Sequence, residues 1–203
     1  MNQRASMKER SGLYDPDHER DNCGFGFIAH IKGKKTHKLV RDGLQILANL
    51  DHRGAVGADP LAGDGAGILV HIPDQLMREE LARDDVVLPE PGHYGVGMVF
   101  LPRDEDARNR CIDSIIRSVT SEGATVLGWR DVPTDNACLG ESVKPNEPII
   151  KQVVISRPSG VVDQEEFERK LFVIRKQAHK KIWYPGEGDD GDSTGVFYIT
   201  SFS

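Results

Sequence analysis

The 203-residue sequence predicts one domain in which β-strands and α-helices are mixed along the whole chain. Stretches with an apolar residue at every second position, the spacing of a half-buried strand, occur throughout. Between them lie stretches in which apolar residues recur at every third or fourth position, which is typical of amphipathic helices. No linker divides the chain and no internal repeat is present. A chain of this length can bury a sizeable core.

The strand predictions rest on alternation and on short apolar runs. The pattern changes abruptly at Cys23, after which Phe25, Phe27, Ala29 and Ile31 are predicted to lie on one face of a strand. The other predicted strands are residues 67–72, 94–101, 124–130, 149–155 and 195–202. Because the last of these reaches the terminus with no partner after it, we expect the domain to be incomplete.

The helix predictions rest on spacing and on capping residues. Thr36 offers a side-chain oxygen to the start of a helix that continues to Leu50. Its apolar residues at helical spacing are Leu39, Val40, Gly43, Leu44 and Leu47. The other predicted helices are residues 73–82, 104–121 and 163–182.

Composition and charge exclude several classes of protein. The formal net charge of −6 argues against a nucleic-acid partner, because phosphate binding needs a concentrated basic surface. No apolar run approaches the ~18 residues of a membrane span, and residues 1–22 lack the apolar stretch of a secretory signal. The three cysteines, Cys23, Cys111 and Cys138, are too few and too far apart for a disulfide framework or a zinc ribbon. We therefore expect a cytoplasmic protein with thiols available for chemistry.

Two short segments carry residues suited to chemistry. Cys23 stands at the head of a predicted strand, followed by Gly24 and Gly26, which let a ligand or another backbone come close. Arg53 is permanently charged, so that near a thiol it would favour the thiolate, and it could also orient a carboxylate. Taken alone, each feature is weak, because a cysteine beside a strand is more often a small buried apolar residue.

A third segment, the run Gly63-Asp64-Gly65-Ala66-Gly67, is rich in glycine. It precedes a predicted strand and opens no helix, so it does not fit a dinucleotide-binding fingerprint. It could form a tight turn or present backbone N–H groups to an anion.

Together these segments closely resemble the opening of the glutamate synthase large chain, a class II glutamine amidotransferase domain. The resemblance rests on Cys23-Gly24-Phe25-Gly26-Phe27, then His52-Arg53-Gly54-Ala55, then the glycine-rich run. It extends from Gly12 to the end of the chain. It implies an α+β fold of the N-terminal-nucleophile type, a four-layer αββα sandwich that would be incomplete here.

The resemblance implies two parts, a leader of residues 1–22 and an amidotransferase segment of residues 23–203. In this family the leader is removed, so that the α-amine of the new first residue, here Cys23, is the general base. Such an amine titrates near ~7.7–8.0, close to working pH. The Cys23 thiolate would attack the side-chain amide of glutamine, and the thioester would then be hydrolysed. Arg53 is implied as a second catalytic-site residue, and Gly54 as a substrate-binding residue.

The resemblance also implies partners and cofactors outside these residues. The ammonia would pass to 2-oxoglutarate in a downstream synthase domain that holds FMN and an iron–sulfur cluster, with a small electron-donating subunit. The family's Asn-Gly oxyanion pair and its carboxylate-gripping arginine segment are not found in this sequence. Since a missing oxyanion donor typically costs ~10²–10³ in rate, the chain alone is expected to be inactive.

Other interpretations stay open at this point. The chain could belong to another class II amidotransferase that makes an amino sugar or a nucleotide, or it could be a non-catalytic interaction module. His52 is better explained as a structural hydrogen-bonding residue than as a base, and Arg53 could instead form a salt bridge. Asp59 and Asp64 are expected to shape their loop, since isolated loop carboxylates are poor evidence for metal. Cys111 is predicted in the core.

Overall fold

The fold is described from a computed structural model, which covers residues 24–54, 61–63, 65–184 and 196–203, with Arg53 described for its backbone alone. The chain divides into two compact units, Met1–Leu69 and Val70–Ser203. No helix among these residues is both long and apolar enough to cross a membrane.

The described part of the first unit contains one regular helix, α1, over His37–Asn49. The predicted cap is confirmed, because the Leu39 backbone N–H donates to Thr36 Oγ1 over 3.4 Å. Upstream of the helix the chain reverses in a turn, where Gly33 N–H donates to the His30 carbonyl oxygen over 2.8 Å. Gly33 has a φ of +65°, a left-handed conformation that glycine adopts without steric cost.

Two strand predictions, one before α1 and one that crosses the boundary between the units, are wrong. Residues 24–30 and 65–73 form no strand. The side chains predicted to face a core are instead exposed, at 84% for Phe25, 83% for Phe27 and 84% for Leu69. Alternation and short apolar runs describe a strand only where a neighbouring strand supplies ladder hydrogen bonds and a layer covers the apolar face. Cys23 lies outside the described residues.

The second unit is built on a four-stranded antiparallel sheet with the order β2-β3-β1-β4. Its strands are β1 at Tyr94–Leu101, β2 at Val126–Asp131, β3 at Ile149–Ser156 and β4 at Tyr198–Phe202. The last strand has no partner after it but is paired all the same, because β4 lies beside the upstream strand β1, with Phe100 opposite Tyr198. The partner lies about a hundred residues upstream, which local sequence patterns do not report.

One face of the sheet is covered by two long helices, α3 at Glu105–Ser121 and α4 at Gln164–Trp183. Their N-termini are capped by Asp104, which accepts from Ala107 N–H at 2.8 Å, and by Asp163, which accepts from Glu166 N–H at 3.2 Å. In α4 the apolar residues at helical spacing, which predict an inward face, are all buried: Phe167, Leu171, Ile174 and Ala178. Cys111 on α3 is buried as predicted. The core between sheet and helices includes Val99, Leu101, Ile115, Val119, Val153, Ile155, Phe167, Leu171, Ile174 and Phe197.

The opposite face of the sheet is only partly covered. The short helix α2, at Asp74–Leu81, packs its buried Met77 and Leu81 against Tyr94 and Val154. Further along this face, Tyr198 is 54% exposed and its ring lies 6.3 Å from that of Phe100. The described residues thus form one sheet with helices, and the α+β class is confirmed.

A polar network fixes α2 to β1 and to the chain between them. The Tyr94 hydroxyl donates to Asp74 Oδ1 over 2.7 Å, and Arg78 Nε donates to Asp74 Oδ2 over 2.9 Å. The same guanidinium donates to the carbonyl oxygens of Leu88, at 2.7 Å, and Pro89. Burial, followed by the hydrogen bond and the negative charge of Asp74, raises the pKa of Tyr94 well above its usual value.

We predict that Tyr94 makes stability fall at alkaline pH. In the unfolded chain tyrosine ionises near ~10, whereas in the folded chain Tyr94 stays neutral, so unfolding is favoured above that pH by up to ~1.4 kcal/mol per pH unit. Tyr94→Phe should cost about 1 kcal/mol at pH 7 through the lost hydrogen bond, yet flatten the decline between pH ~9 and ~11. Urea unfolding across this range measures both effects. Tyr198→Phe, at an exposed tyrosine, is the matched control, and equal pH profiles for all three proteins would contradict the prediction.

Candidate active site

The segment that follows Cys23 lies against helix α1. Gly26 faces Ile46, and a Cβ built on Gly26 would lie only 2.5 Å from Ile46 Cγ2. Real Cβ atoms do not come this close to a neighbour, so only glycine fits without a shift. Glycines after Cys23 predict that another group comes close to the backbone. At Gly26 that group is the side chain of Ile46 in α1.

Arg53 and Gly54 follow directly from the end of α1. Leu50 N–H donates to the carbonyl oxygens of Ile46, at 3.1 Å, and Leu47, at 3.0 Å. Asp51–Arg53 then form one turn of 3₁₀ helix. That turn closes where Gly54 N–H donates to the Asp51 carbonyl oxygen over 3.0 Å. The backbone that carries Arg53 is thus a hydrogen-bonded continuation of the helix.

Gly54 is exposed and extended, with φ −75° and ψ 147°. Its N–H group donates to the Asp51 carbonyl oxygen, so the group of Gly54 that is left to hydrogen-bond a ligand is its carbonyl oxygen. A Cβ at this position would lie 3.3 Å from the Asp51 carbonyl oxygen, a tight contact. This crowding favours glycine at the end of the turn.

His52 has a structural contact, as its interpretation from sequence requires. Its Nδ1 lies 3.1 Å from the carbonyl oxygen of Asn49, one turn earlier. Since a carbonyl oxygen only accepts, the Nδ1–H group is the donor in this contact. The bond holds the imidazole against the helix end.

The glycine-rich run shows less crowding than its sequence suggests. Beyond their chain neighbours, none of the described residues has a heavy atom within 4 Å of where a Cβ of Gly63, Gly65 or Gly67 would sit. Asp59 and Asp64 lie outside the described residues. Among the residues that are described, no group of three or more His, Cys, Asp or Glu side chains could hold a metal ion.

Sequence reasoning did not single out Ile46, the side chain that contacts the segment after Cys23. The helical spacing placed Leu44 on the inward face, whereas Leu44 is 50% exposed and Ile46 is half-buried. The signal that points to Ile46 is the glycine at position 26, since a glycine in a segment of large apolar residues marks a close approach.

Comparison with known proteins identifies the family. A model of the class II glutamine amidotransferases matches residues 23–203, so the match begins at Cys23. The large chain of the NADPH glutamate synthase of Bacillus subtilis is 46% identical over 197 residues, covering 97% of this chain and 12% of that protein. The ferredoxin-dependent glutamate synthase 2 of a Synechocystis strain is 38% identical over 185 residues, 91% of this chain and 11% of that protein.

A relative from Schizosaccharomyces pombe, an NADH glutamate synthase, is 36% identical over 189 residues, 89% of this chain and 9% of that protein. The chain thus spans roughly a tenth of the length of these curated relatives. The match covers all three motif-bearing segments and most of the rest of the sequence. The chain belongs to the class II glutamine amidotransferase family.

Proposed function

We propose that this chain is the glutaminase part of a glutamate synthase, in which Cys23 hydrolyses glutamine and so supplies ammonia for glutamate formation from 2-oxoglutarate. The observation that carries the proposal is the start of the family match at Cys23, together with Arg53-Gly54 at the end of α1. A leader of residues 1–22 fits this boundary. Its removal would make Cys23 the first residue of an amidotransferase segment over residues 23–203.

The proposed reaction is an acyl transfer through a thioester. The α-amine of Cys23 takes the thiol proton, and the thiolate attacks the side-chain amide carbon of glutamine. The C–N bond then breaks, and ammonia leaves with the proton returned by the amine. Water attacks the γ-glutamyl thioester in a second step, which releases glutamate and restores the thiol. Every proton passes through one amine, so no histidine base is needed.

Arg53 and Gly54 have complementary roles in this proposal. The guanidinium of Arg53 stabilises the thiolate, because an opposite charge within ~4–6 Å favours the ionised form. Gly54, which is an exposed residue, contributes its carbonyl oxygen, which accepts a hydrogen bond from the α-ammonium group of glutamine. Its N–H is already committed to Asp51 at 3.0 Å.

The four-layer αββα sandwich is proposed as the complete architecture. The four-stranded sheet and the helices α3 and α4 would supply two of the layers. The half-exposed apolar side chains on the opposite face of the sheet, among them Met98, Phe100 and Ile150, suit a second sheet packed against them.

The remaining parts of the proposed enzyme lie outside these residues. An iron–sulfur cluster is held by several cysteines, and the chain has three, of which Cys111 is buried on α3 and Cys138 is exposed. These residues do not fit the cluster, and no step of the mechanism is derived through it or through FMN. A synthase domain, a small electron-donating subunit and a cytoplasmic location complete the proposal.

The experiment compares the full product of the gene that encodes this chain with and without residues 1–22. We expect glutamine hydrolysis to rise ~10²-fold or more when Cys23 has a free amine, which is the usual contribution of a general base. A matched control retains one extra residue, Asn22, before Cys23, which blocks the amine but leaves the rest unchanged. Equal rates in all three proteins would contradict the α-amine mechanism. No hydrolysis in any of them would favour a non-catalytic module.

A further inference from the structure

One contact links the segment after Cys23 to the segment that leads to Arg53. Gly26 lies three residues after Cys23, and Ile46 lies in the last turns of α1, whose end leads directly to Arg53. The three heavy atoms nearest to a Cβ at Gly26 all belong to Ile46, with Cγ2 at 2.5 Å and Cδ1 at 3.7 Å. Within the first unit, the backbone of one motif-bearing segment therefore rests directly on this side chain.

This contact is stiff on the helix side. Cγ2 is the branch methyl of a β-branched residue, and such residues have one strongly preferred χ1 rotamer in a helix. The methyl therefore stays near the helix backbone and does not fold away like the end of a long side chain. From Ile46 onwards the backbone is hydrogen-bonded through Leu50 and Asp51 to Gly54. A displacement at Ile46 is thus transmitted towards Arg53.

On the other side of the contact, Gly26 is only three residues from Cys23 along the chain. Three residues span at most about 10 Å, so Cys23 stays within that distance of Gly26 in any conformation. A methyl group at position 26 would have to move about 1 Å away from Ile46 to reach ordinary van der Waals separation. Misplacement of this size near a reacting centre can lower a rate ~10²-fold.

We propose that Ile46 is a positioning residue of the amidotransferase site, whose contact with Gly26 sets the separation between Cys23 and Arg53. This inference rests on the proposed function, in which Arg53 favours the thiolate of Cys23. It assigns no chemistry to Ile46 itself. The side chain acts through the backbone of the two segments that it keeps together.

The test measures the reactivity of the Cys23 thiol in the complete 203-residue chain, with the leader attached. Iodoacetamide is applied at pH 7, and peptide mapping by mass spectrometry gives the alkylation rate of Cys23 relative to the exposed Cys138 in the same molecule. In this form the amine of Cys23 is an amide, so the thiol responds to Arg53 and not to the base. The buried Cys111 reports unfolding of the second unit.

Four variants define the expected pattern. Gly26→Ala should lower the ratio of the Cys23 to the Cys138 alkylation rate about threefold or more. Moving Arg53 away leaves less of Cys23 as thiolate, and the higher intrinsic nucleophilicity of the remaining thiolate offsets only part of that loss. The double variant G26A/I46A should restore the ratio, because the branch methyl is gone. G26A/I46V should not restore it, because valine keeps that methyl. Ile46→Ala alone, which introduces no clash, should lower the ratio by loosening the contact.

Arg53→Gln completes a double-mutant cycle. It should lower the ratio as Gly26→Ala does, and Gly26→Ala should have no further effect in the R53Q background. An unchanged ratio in G26A, equal rescue by I46A and I46V, or additive effects with R53Q would each overturn the proposal. Its failure is distinct from failure of the proposed function, which is measured as glutamine hydrolysis by the processed protein. If the processed protein hydrolyses glutamine but the alkylation ratio does not change when Ile46 is replaced, the proposed function stands and only the positioning role of Ile46 is wrong.

Discussion

Replacing Cys23 with alanine is expected to lower glutamine hydrolysis by roughly 10³-fold or more, without loss of the fold. Removing a nucleophile that works together with its own base abolishes the covalent route and leaves only binding and electrostatic effects. The rate of ammonia release by the processed full product of the gene is the measurement. The proposed mechanism has no other acceptor for the acyl group, so no second residue can compensate.

The matched control for this prediction is Cys138→Ala. Cys138 is an exposed thiol in a loop, outside all three motif-bearing segments. The control should keep the wild-type rate, and thermal unfolding should be the same for both variants within about 1 °C. If C23A retained more than a tenth of the wild-type activity, the assignment of the nucleophile would be wrong.

Replacing Gly97 with alanine is expected to destabilise the second unit by about 1–3 kcal/mol. Gly97 lies on the helix-facing side of β1, opposite Phe202 of β4 in the register of the sheet. A Cβ there would overlap the ring of Phe202 and lie 3.0 Å from Val153 Cγ1. Because Phe202 is only 8% exposed, its ring has little open space to enter. The free energy of unfolding in urea measures the effect.

A double variant separates this overlap from a general intolerance of side chains on β1. Phe202→Ala alone should cost about 3–5 kcal/mol through the lost core contacts, but Gly97→Ala should add less than about 0.5 kcal/mol in that background. Gly43→Ala is the control for the exchange itself. Position 43 in α1 has open space for a Cβ, so alanine should be neutral or stabilising there. Equal costs of Gly97→Ala with and without Phe202 would contradict the predicted overlap.

The helices were the most predictable part of the fold. Their apolar spacing and their capping residues are local, so Thr36 and the α4 core face of Phe167, Leu171, Ile174 and Ala178 follow from sequence alone. The order of the sheet does not follow, because it depends on pairings between distant segments such as β1 with β4.

The strands predicted on either side of the site failed for a related reason. Phe25 and Phe27 have the spacing of a half-buried strand, but spacing does not tell whether another segment covers them. Cys23, Arg53 and Gly54 remain candidate site residues, predicted from the resemblance of three motifs to a family, and that prediction does not depend on correct secondary structure. Ile46 was missed because its partner is a glycine backbone, and apolar spacing counts only side chains.

The central claim is that Cys23, with a free α-amine, is the nucleophile that attacks the side chain of glutamine. The most direct measurement treats the processed full gene product with 6-diazo-5-oxo-norleucine, a glutamine-like electrophile, and locates the adduct by peptide mapping. We expect one adduct per chain, on Cys23 alone. Excess glutamine should suppress it, and residues 1–22 should prevent it while they are attached. An adduct on Cys111 or Cys138, or none on Cys23 in a protein that hydrolyses glutamine, would contradict it.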